Sequence, residues 1–324
     1  MNHSRVLCLG EILFDCLADG LHQSWEAVES WTAYPGGAPA NVACGLVKLG
    51  TSSAFVGAIG FDEGGDRLVG FLRDAGVDST GVQRHPTAPT RRVFVLRSPA
   101  GEREFVGFGT LDTTAFADTR LQADWIPESL FLDADFLVLG TLGLAYPETR
   151  AAIARALKLA DRHNLKILVD INWRPVFWPD PEAAKRLVMD LLKQVDFVKL
   201  SEEESEWLFD TTDPGTINYR LDSVEGVLIT RGDRGCAYCL SDGEGAFPAF
   251  PVAVQDTTGA GDGFVAGFVH QVLQRGLAGL RDPETAREII AYASAVGALT
   301  ATKPGAIAAQ PTATEVEAFL KSQP

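Results

Sequence analysis

The sequence predicts an α/β fold: a mostly parallel central sheet with helices on both faces, plus a small β lid. Two observations carry that expectation. Apolar, strand-like runs alternate with stretches of helical period through most of the 324 residues, as they do when helices cover a parallel sheet. Around residues 11–35 and 90–112 the alternation breaks, and β-like segments appear with no helix between them.

Val6–Leu9 opens the series as a first strand, and Ala54–Ile59, Phe136–Leu139, Ile167–Asp170, Phe197–Leu200 and Val227–Thr230 continue it. Between and after them, Asp66–Ala75, Pro147–Asn164, Pro181–Val195, Gly263–Arg275 and Pro283–Thr302 read as amphipathic helices. Several strands end on polar residues: Asp170 and Asn172, Lys199 and Ser201, Thr230 and Arg231. In open α/β sheets that carboxyl edge is where ligands bind. Arg91–Arg97 and Glu104–Phe108 flank Ser98-Pro99-Ala100-Gly101, a hairpin with turn residues at its tip. Glu11–Trp31 is β-like as well. No internal repeat or long linker divides the chain, so the expected organisation is one α/β domain, 1–324, with a discontinuous lid at about 11–35 and 90–112. An exposed lid strand has an unpaired edge, and a homodimer through the lid is expected on that ground.

Composition bounds the function. Hydrophobic residues make up 46% and charged residues 22%, the balance of a soluble protein with a substantial core. No apolar run is long enough to span a bilayer, and Glu11 and Asp15 break the first one, so a cytoplasmic location is expected. The net charge of −15 argues against nucleic-acid and membrane partners. An anionic substrate would need local help from backbone amides, a metal ion or placed cations. The five cysteines are an odd, scattered set, and Cys236 and Cys239 read as ordinary strand residues because no second pair completes a metal site.

The strongest chemical signal is Asp256-Thr257-Thr258-Gly259-Ala260-Gly261-Asp262-Gly263. Three small residues let backbone N–H groups converge, and the apolar face that follows (Phe264, Val265, Phe268, Val269, Val272, Leu273) places them at a helix N-terminus, which favours an anion. Asp262 is then either an ordinary first-turn acid or a base beside a bound phosphate. The segment is neither a GxxxxGK[ST] loop nor a GxGxxG fingerprint, since Phe264 stands where the third glycine would be. That absence also disfavours a dinucleotide-dependent dehydrogenase. A second cluster, Gly36-Gly37-Ala38-Pro39-Ala40-Asn41, leads into another helix; its glycines allow close approach to a ligand, and Asn41 can donate and accept. Read as structure alone, it is a loop-to-helix turn.

These two motifs, in this order and at this separation, resemble the two signatures of the PfkB (ribokinase-like) carbohydrate kinases, and the resemblance covers nearly the whole chain. It implies ATP as phosphoryl donor, Asp262 as catalytic base and the amides of Gly259, Ala260 and Gly261 as the anion hole. It places Thr230, Gly232 and Gly235 of the TRGDRG segment, and Gly305 and Ala306 of the KPGAI loop, at the nucleotide, with Lys199 beside them. Glu204 matches the acid of a magnesium-linked NxxE motif whose Asn is here Ser201, and Asp256 with Thr258 matches a monovalent-cation site for potassium. Asp15 matches the acid that binds sugar hydroxyls, with Gly36, Gly37 and Asn41 on the substrate side.

Asp170-Ile171-Asn172-Trp173-Arg174-Pro175-Val176-Phe177-Trp178 resembles the DxNxRxxLW segment of fructokinases, where Arg174 serves phosphoryl transfer and Trp173 and Trp178 read as packing. Fructose is therefore the expected substrate. One departure bears on it: Gly101-Glu102-Arg103-Glu104-Phe105 continues as Val106-Gly107-Phe108-Gly109-Thr110-Leu111-Asp112, without the arginine of the usual run. 2-Keto-3-deoxygluconate, ribose or a nucleoside stay open as substrates, and so does a catalytically silent sugar-binding protein, although the GAGD residues are intact.

Overall fold

A computed structural model describes residues 4–20, 24–97, 103–241 and 243–323 of the chain. In chain order the strands are β1 (Val6–Leu9), β2 (Leu13–Ala18), β3 (Trp31–Gly36), β4 (Ser53–Gly60), β5 (Asp78–His85), β6 (Arg92–Arg97), β7 (Arg103–Gly107), β8 (Phe136–Gly140), β9 (Lys166–Asp170), β10 (Phe197–Ser201), β11 (Gly226–Thr230), β12 (Cys236–Leu240) and β13 (Gly243–Phe247). The helices that matter below are α1 (Ala38–Lys48), α2 (Glu63–Asp74), α3 (Pro147–His163), α4 (Ala184–Leu192), α5 (Glu202–Phe209), α6 (Pro214–Leu221), α7 (Ala260–Arg275) and α8 (Pro283–Thr300).

Among the described residues nine strands form the central sheet in the order β13-β12-β11-β10-β9-β8-β1-β4-β5. From β11 to β5 every neighbouring pair is parallel; β12 and β13 close one edge antiparallel. The chain winds outward from β1 in both directions, through β4 and β5 on one side and β8 to β11 on the other. The carboxyl end of β1 therefore opens at a topological switch point. Strand alternation divides the core in two. Val6 and Cys8 face a layer built from α1, α2, α7 and α8, where Phe136, Phe197 and Phe268 meet; Leu7 and Leu9 face α3 to α6. Helices thus cover both faces, as the alternation predicts.

The second sheet is small, β3-β2-β6-β7, and lies where the helical pattern lapses. β6 and β7 pair antiparallel as the expected hairpin, and its turn, residues 98–101, lies outside the described residues. Between β2 and β3 the chain makes a short helical turn at Trp25–Ala27, which the β-like reading of 11–31 did not contain.

Several boundaries shift for local reasons. The helix read from Asp66 begins at Glu63, because Asp62 caps it by accepting the Gly65 N–H at 2.7 Å. The helix read from Pro181 begins at Ala184, after a tight turn capped by Asp180. The helix read from Gly263 begins at Ala260, so the small-residue segment is its first turn. β5 and β13 escaped the sequence reading; they are edge strands that bury little apolar surface and alternate weakly. Cys236 and Cys239 are both buried within β12, which is the strand position expected for them.

Candidate active site

Two helix N-termini converge above the carboxyl ends of β1, β9 and β10. The first is that of α1. Gly37 caps it at φ +104°, and a side chain there would strike the Glu11 carbonyl and Ile12. A Cβ on Gly36 would land on the Asp15 carboxylate, so this glycine lets the half-buried Asp15 of β2 lie against the turn. Asn41 follows in the first helical turn with its N–H bonded to the Gly37 carbonyl at 2.8 Å.

The second is that of α7. Asp256 ties its approach together: one carboxylate oxygen accepts the Thr258 N–H at 3.0 Å and the other accepts the Gly305 N–H at 2.9 Å. Gly259 caps the helix at φ +77°, with the position of a Cβ only 2.8 Å from the Ala306 Cβ. The loop at Gly305–Ala306 is thereby packed on the glycine turn. Gly263 and Gly267 bring α7 close to Val296 and Ala293 of α8, which sets how deep this N-terminus sits.

The two helices meet through Asn41 and Asp262. Asn41 Nδ2 donates to Asp262 Oδ2 at 2.7 Å, across 221 positions of sequence. Asp262 is 9% exposed. Burial, followed by the charge of Asp170, pushes its carboxyl up to about 6, against the Asn41 hydrogen bond and the charges of Lys199 and Arg174. At pH 7 it is an ionised carboxylate with usable proton affinity, which is what a general base requires.

Lys199 stands on the opposite side of the turn. Its Nζ donates to Asp170 Oδ1 and Oδ2 at 3.0 and 3.1 Å, and lies 3.1 Å from where a Gly261 Cβ would be. Burial lowers its proton affinity, but the carboxylates of Asp170, Glu204 and Asp262 reverse that and hold it as a cation. An anion cradled by the amides of Gly259, Ala260 and Gly261 would meet this cation.

Glu204 sits behind Lys199. One of its oxygens accepts the Ser201 N–H at 2.7 Å, the other accepts the Trp173 N–H at 2.6 Å, and Ser201 Oγ accepts the Glu204 N–H at 3.1 Å. This reciprocal pair starts α5 as a capping box, the role in which Ser serves well where the family pattern has Asn. Burial raises the Glu204 carboxyl in spite of Lys199. Trp173 stacks on Trp207 at 4.4 Å and tilts against Trp178 at 5.4 Å, so both expected packing tryptophans do pack.

Other candidates lie further out. Thr230 Oγ1 donates to the Leu200 carbonyl at 3.2 Å, and the turn through Gly232 and Gly235 closes by the Arg231 N–H to the Gly235 carbonyl. This turn follows β11, and its Arg231 and Arg234 pair with Glu202 at the start of α5. Arg174 is exposed and donates to the Trp173 carbonyl at 3.3 Å; it reaches Asp262 only through its charge. A cavity of about 380 Å³ lies apart from the cluster, lined by Asp62, Thr90, Arg92, Phe94 and Phe108 among others.

Two features had no signal in the sequence. Glu11 is buried, with one oxygen accepting the Ala38 N–H at 3.2 Å and its carboxyl pushed up to about 8, chiefly by burial. Arg91 is buried under the segment that lacks the expected arginine. It donates to Asp118 at 2.6 and 3.0 Å and to the Thr113 carbonyl at 2.9 Å, and lies 4.5 Å over the Phe116 ring. An apolar partner for either would have been as consistent with the pattern.

Comparison with known proteins decides what this geometry belongs to. Residues 3–313 match the family described as pfkB family carbohydrate kinase. The chain belongs to that family. Fructokinase-1 of Oryza sativa subsp. japonica is 36% identical over 320 residues, covering 98% of each chain. Among solved structures, a fructokinase from Xylella fastidiosa with bound ATP superimposes with a TM-score of 0.89 at 30% identity, covering 98% of each chain. A fructokinase double mutant from Vibrio cholerae O395, described in a fructose, ADP and potassium ion bound form, gives 0.85 at 27% identity, again covering 98% of each. The ribokinase-like fold is the one expected from the alternation and the two motifs. Among the described residues no helix of this kinase is long and apolar enough to cross a membrane.

Proposed function

We propose that this kinase transfers the γ-phosphoryl group of ATP to the primary hydroxyl of fructose, giving fructose 6-phosphate. The observation that carries the reading is the Asn41–Asp262 hydrogen bond, which brings the two separated motifs into one site and sets a buried carboxylate beside an amide-lined turn. Asp15, Gly36, Gly37 and Asn41 form the sugar side, where the carboxylate of Asp15 accepts from hydroxyls. The γ-phosphoryl group lies at Gly259, Ala260 and Gly261 with Lys199 against it. Asp262 takes the hydroxyl proton as the oxygen attacks in line, and the amides stabilise charge on the transferred group. The turn through Thr230, Gly232 and Gly235 and the loop at Gly305 and Ala306 hold the rest of the nucleotide. Arg174 adds charge at the mouth.

Among the described residues no cluster of three or more His, Cys, Asp or Glu side chains is placed to hold a metal alone. Magnesium would be carried in by ATP, with Glu204 reaching it through water; when bound, the ion neutralises phosphate charge. Asp256 and Thr258 are proposed to face a potassium ion, in line with the ion named for the Vibrio cholerae relative. Residues 11–35 and 90–112 act as the lid that excludes water.

Fructose is favoured by the fructokinases among the relatives. The arginine-free run at 106–112 favours a second reading, a different small sugar or sugar acid, with the same chemistry. Turnover across a sugar panel, with the product's phosphate position read by phosphorus NMR, separates the two. Phosphorylation of fructose at C6 supports the first reading, and turnover confined to another substrate sets it aside.

A further inference from the structure

This inference rests on the reading of Asp262 as the base and extends it to a second carboxylate. Asp170 closes β9 at 5% exposure, and both its oxygens receive the Lys199 ammonium at 3.0 and 3.1 Å. Lys199, fixed in this way, stands beside Gly261 in the turn that precedes Asp262. Asp262 thus faces charged or titratable groups from several elements: Asp170 of β9, Lys199 of β10, Arg174 of the turn after β9, and Glu11 of the β1–β2 connection, with Asn41 of α1 bonded to it.

We propose that Asp170 is a positioning residue: by pairing with Lys199 it pins that cation against the phosphate turn, next to Asp262. Carboxylates sharing a buried site oppose each other's ionisation, while an ammonium does the reverse. At Asp262 the charge of Asp170 acts upward and that of Lys199 downward. Glu11 carries little charge at pH 7, because its carboxyl is pushed up to about 8. The pair therefore keeps the cation where the transferred group arrives and gives the base neighbours of both signs. A role confined to packing would give neither.

The test is the titration of the Asp262 carboxyl by carbon-13 NMR in the full-length protein without nucleotide. Wild type is compared with Asp170→Asn, Lys199→Met and the double variant, with Asp262→Asn used for assignment. Asp170→Asn should lower the midpoint by about one pH unit or more, and Lys199→Met should raise it, since the neighbouring charges have opposite sign. The double variant should fall between the two. The acid limb of kcat/KM, which reports the free enzyme's base, should move in the same order. An Asp262 midpoint that stays at the wild-type value in both single variants overturns the proposal. If Asp170→Asn does not fold, Lys199→Met decides it by the sign of its shift. Midpoints that move as expected in a protein that phosphorylates no sugar would sink the kinase reading and leave the coupling intact. Sound turnover with unmoved midpoints would do the opposite.

Discussion

Asp262 is held where its charge is useful and unwelcome. Its carboxyl releases a proton at about 6 in the folded chain against an ordinary value of 3.8. A raised value in the folded state contributes stability below the unfolded value, and that contribution is lost as pH rises through about 6. Asp262→Asn keeps an acceptor for Asn41 and removes the buried charge. At pH 7.5 it should therefore melt above wild type, with a gain on the order of 2–3 kcal/mol, and the gain should vanish by about pH 4. Turnover of the same variant should fall by about 10²–10⁴-fold. A variant that melts below wild type at pH 7.5 contradicts the account of the site's electrostatics. Asp262 was legible in the sequence because the evidence for it is local: three small residues, then an apolar helical face. The pairing of Lys199 with Asp170 was not, although both were visible as strand-end polar residues. Only the parallel register of β9 with β10 sets them opposite each other, and that register is a property of the sheet. Glu11 lies further from reach still, since a single acid after a first strand reads equally as the start of a loop.

At the scale of elements, the first turn of α7 separates two uses of glycine. Gly259 has φ +77° and its missing side chain faces Ala306, so Gly259→Ala should strain the backbone and push away the Gly305–Ala306 loop. The expected loss is about 1–3 kcal/mol of stability, seen by thermal melting, together with weaker ATP binding by calorimetry. Gly261 is within the helix, and its missing side chain faces only Lys199. Gly261→Ala should cost less stability than Gly259→Ala and lower kcat about 10²-fold, because the new methyl group crowds the Lys199 ammonium at the proposed anion cradle. Equal effects of the two substitutions on stability would show that the turn is not built in this way. The helices themselves were readable from periodicity, whereas their starts were set by caps, Asp62 for α2 and Ser201 with Glu204 for α5. Capping lies in side-chain geometry over three or four residues, which an apolar pattern does not record.

The whole molecule pairs a nine-stranded sheet, covered by helices on both faces, with a smaller four-stranded one. The core strands were legible because each is a short apolar run, ended by a polar residue in β9, β10 and β11 and by glycine in or just after β1, β4 and β8. The small sheet was legible only as a lapse in that rhythm, and its pairing of β2 with β6 joins segments some eighty residues apart in sequence. If it works as a lid, excising residues 98–101 should raise the KM for the sugar and change ATP hydrolysis in its absence; unchanged values for both would remove the lid from the account. The same sheet is where two copies are expected to pair. Trp25, Trp31 and Phe94 cluster there with centroids 5.0 Å apart, and Trp25 and Tyr34 are exposed. Light scattering should give a dimer mass for wild type, and a monomer at every concentration would rule that pairing out.

The measurement that bears most directly on the account is sugar-dependent ADP release from magnesium–ATP by wild type beside Asp262→Ala, both checked for native melting. The account predicts turnover in the wild type that rises through an acid limb near pH 6, and its near-complete loss in the variant at every pH. Sugar-dependent turnover that survives Asp262→Ala nearly intact would contradict it, whatever the sugar proves to be.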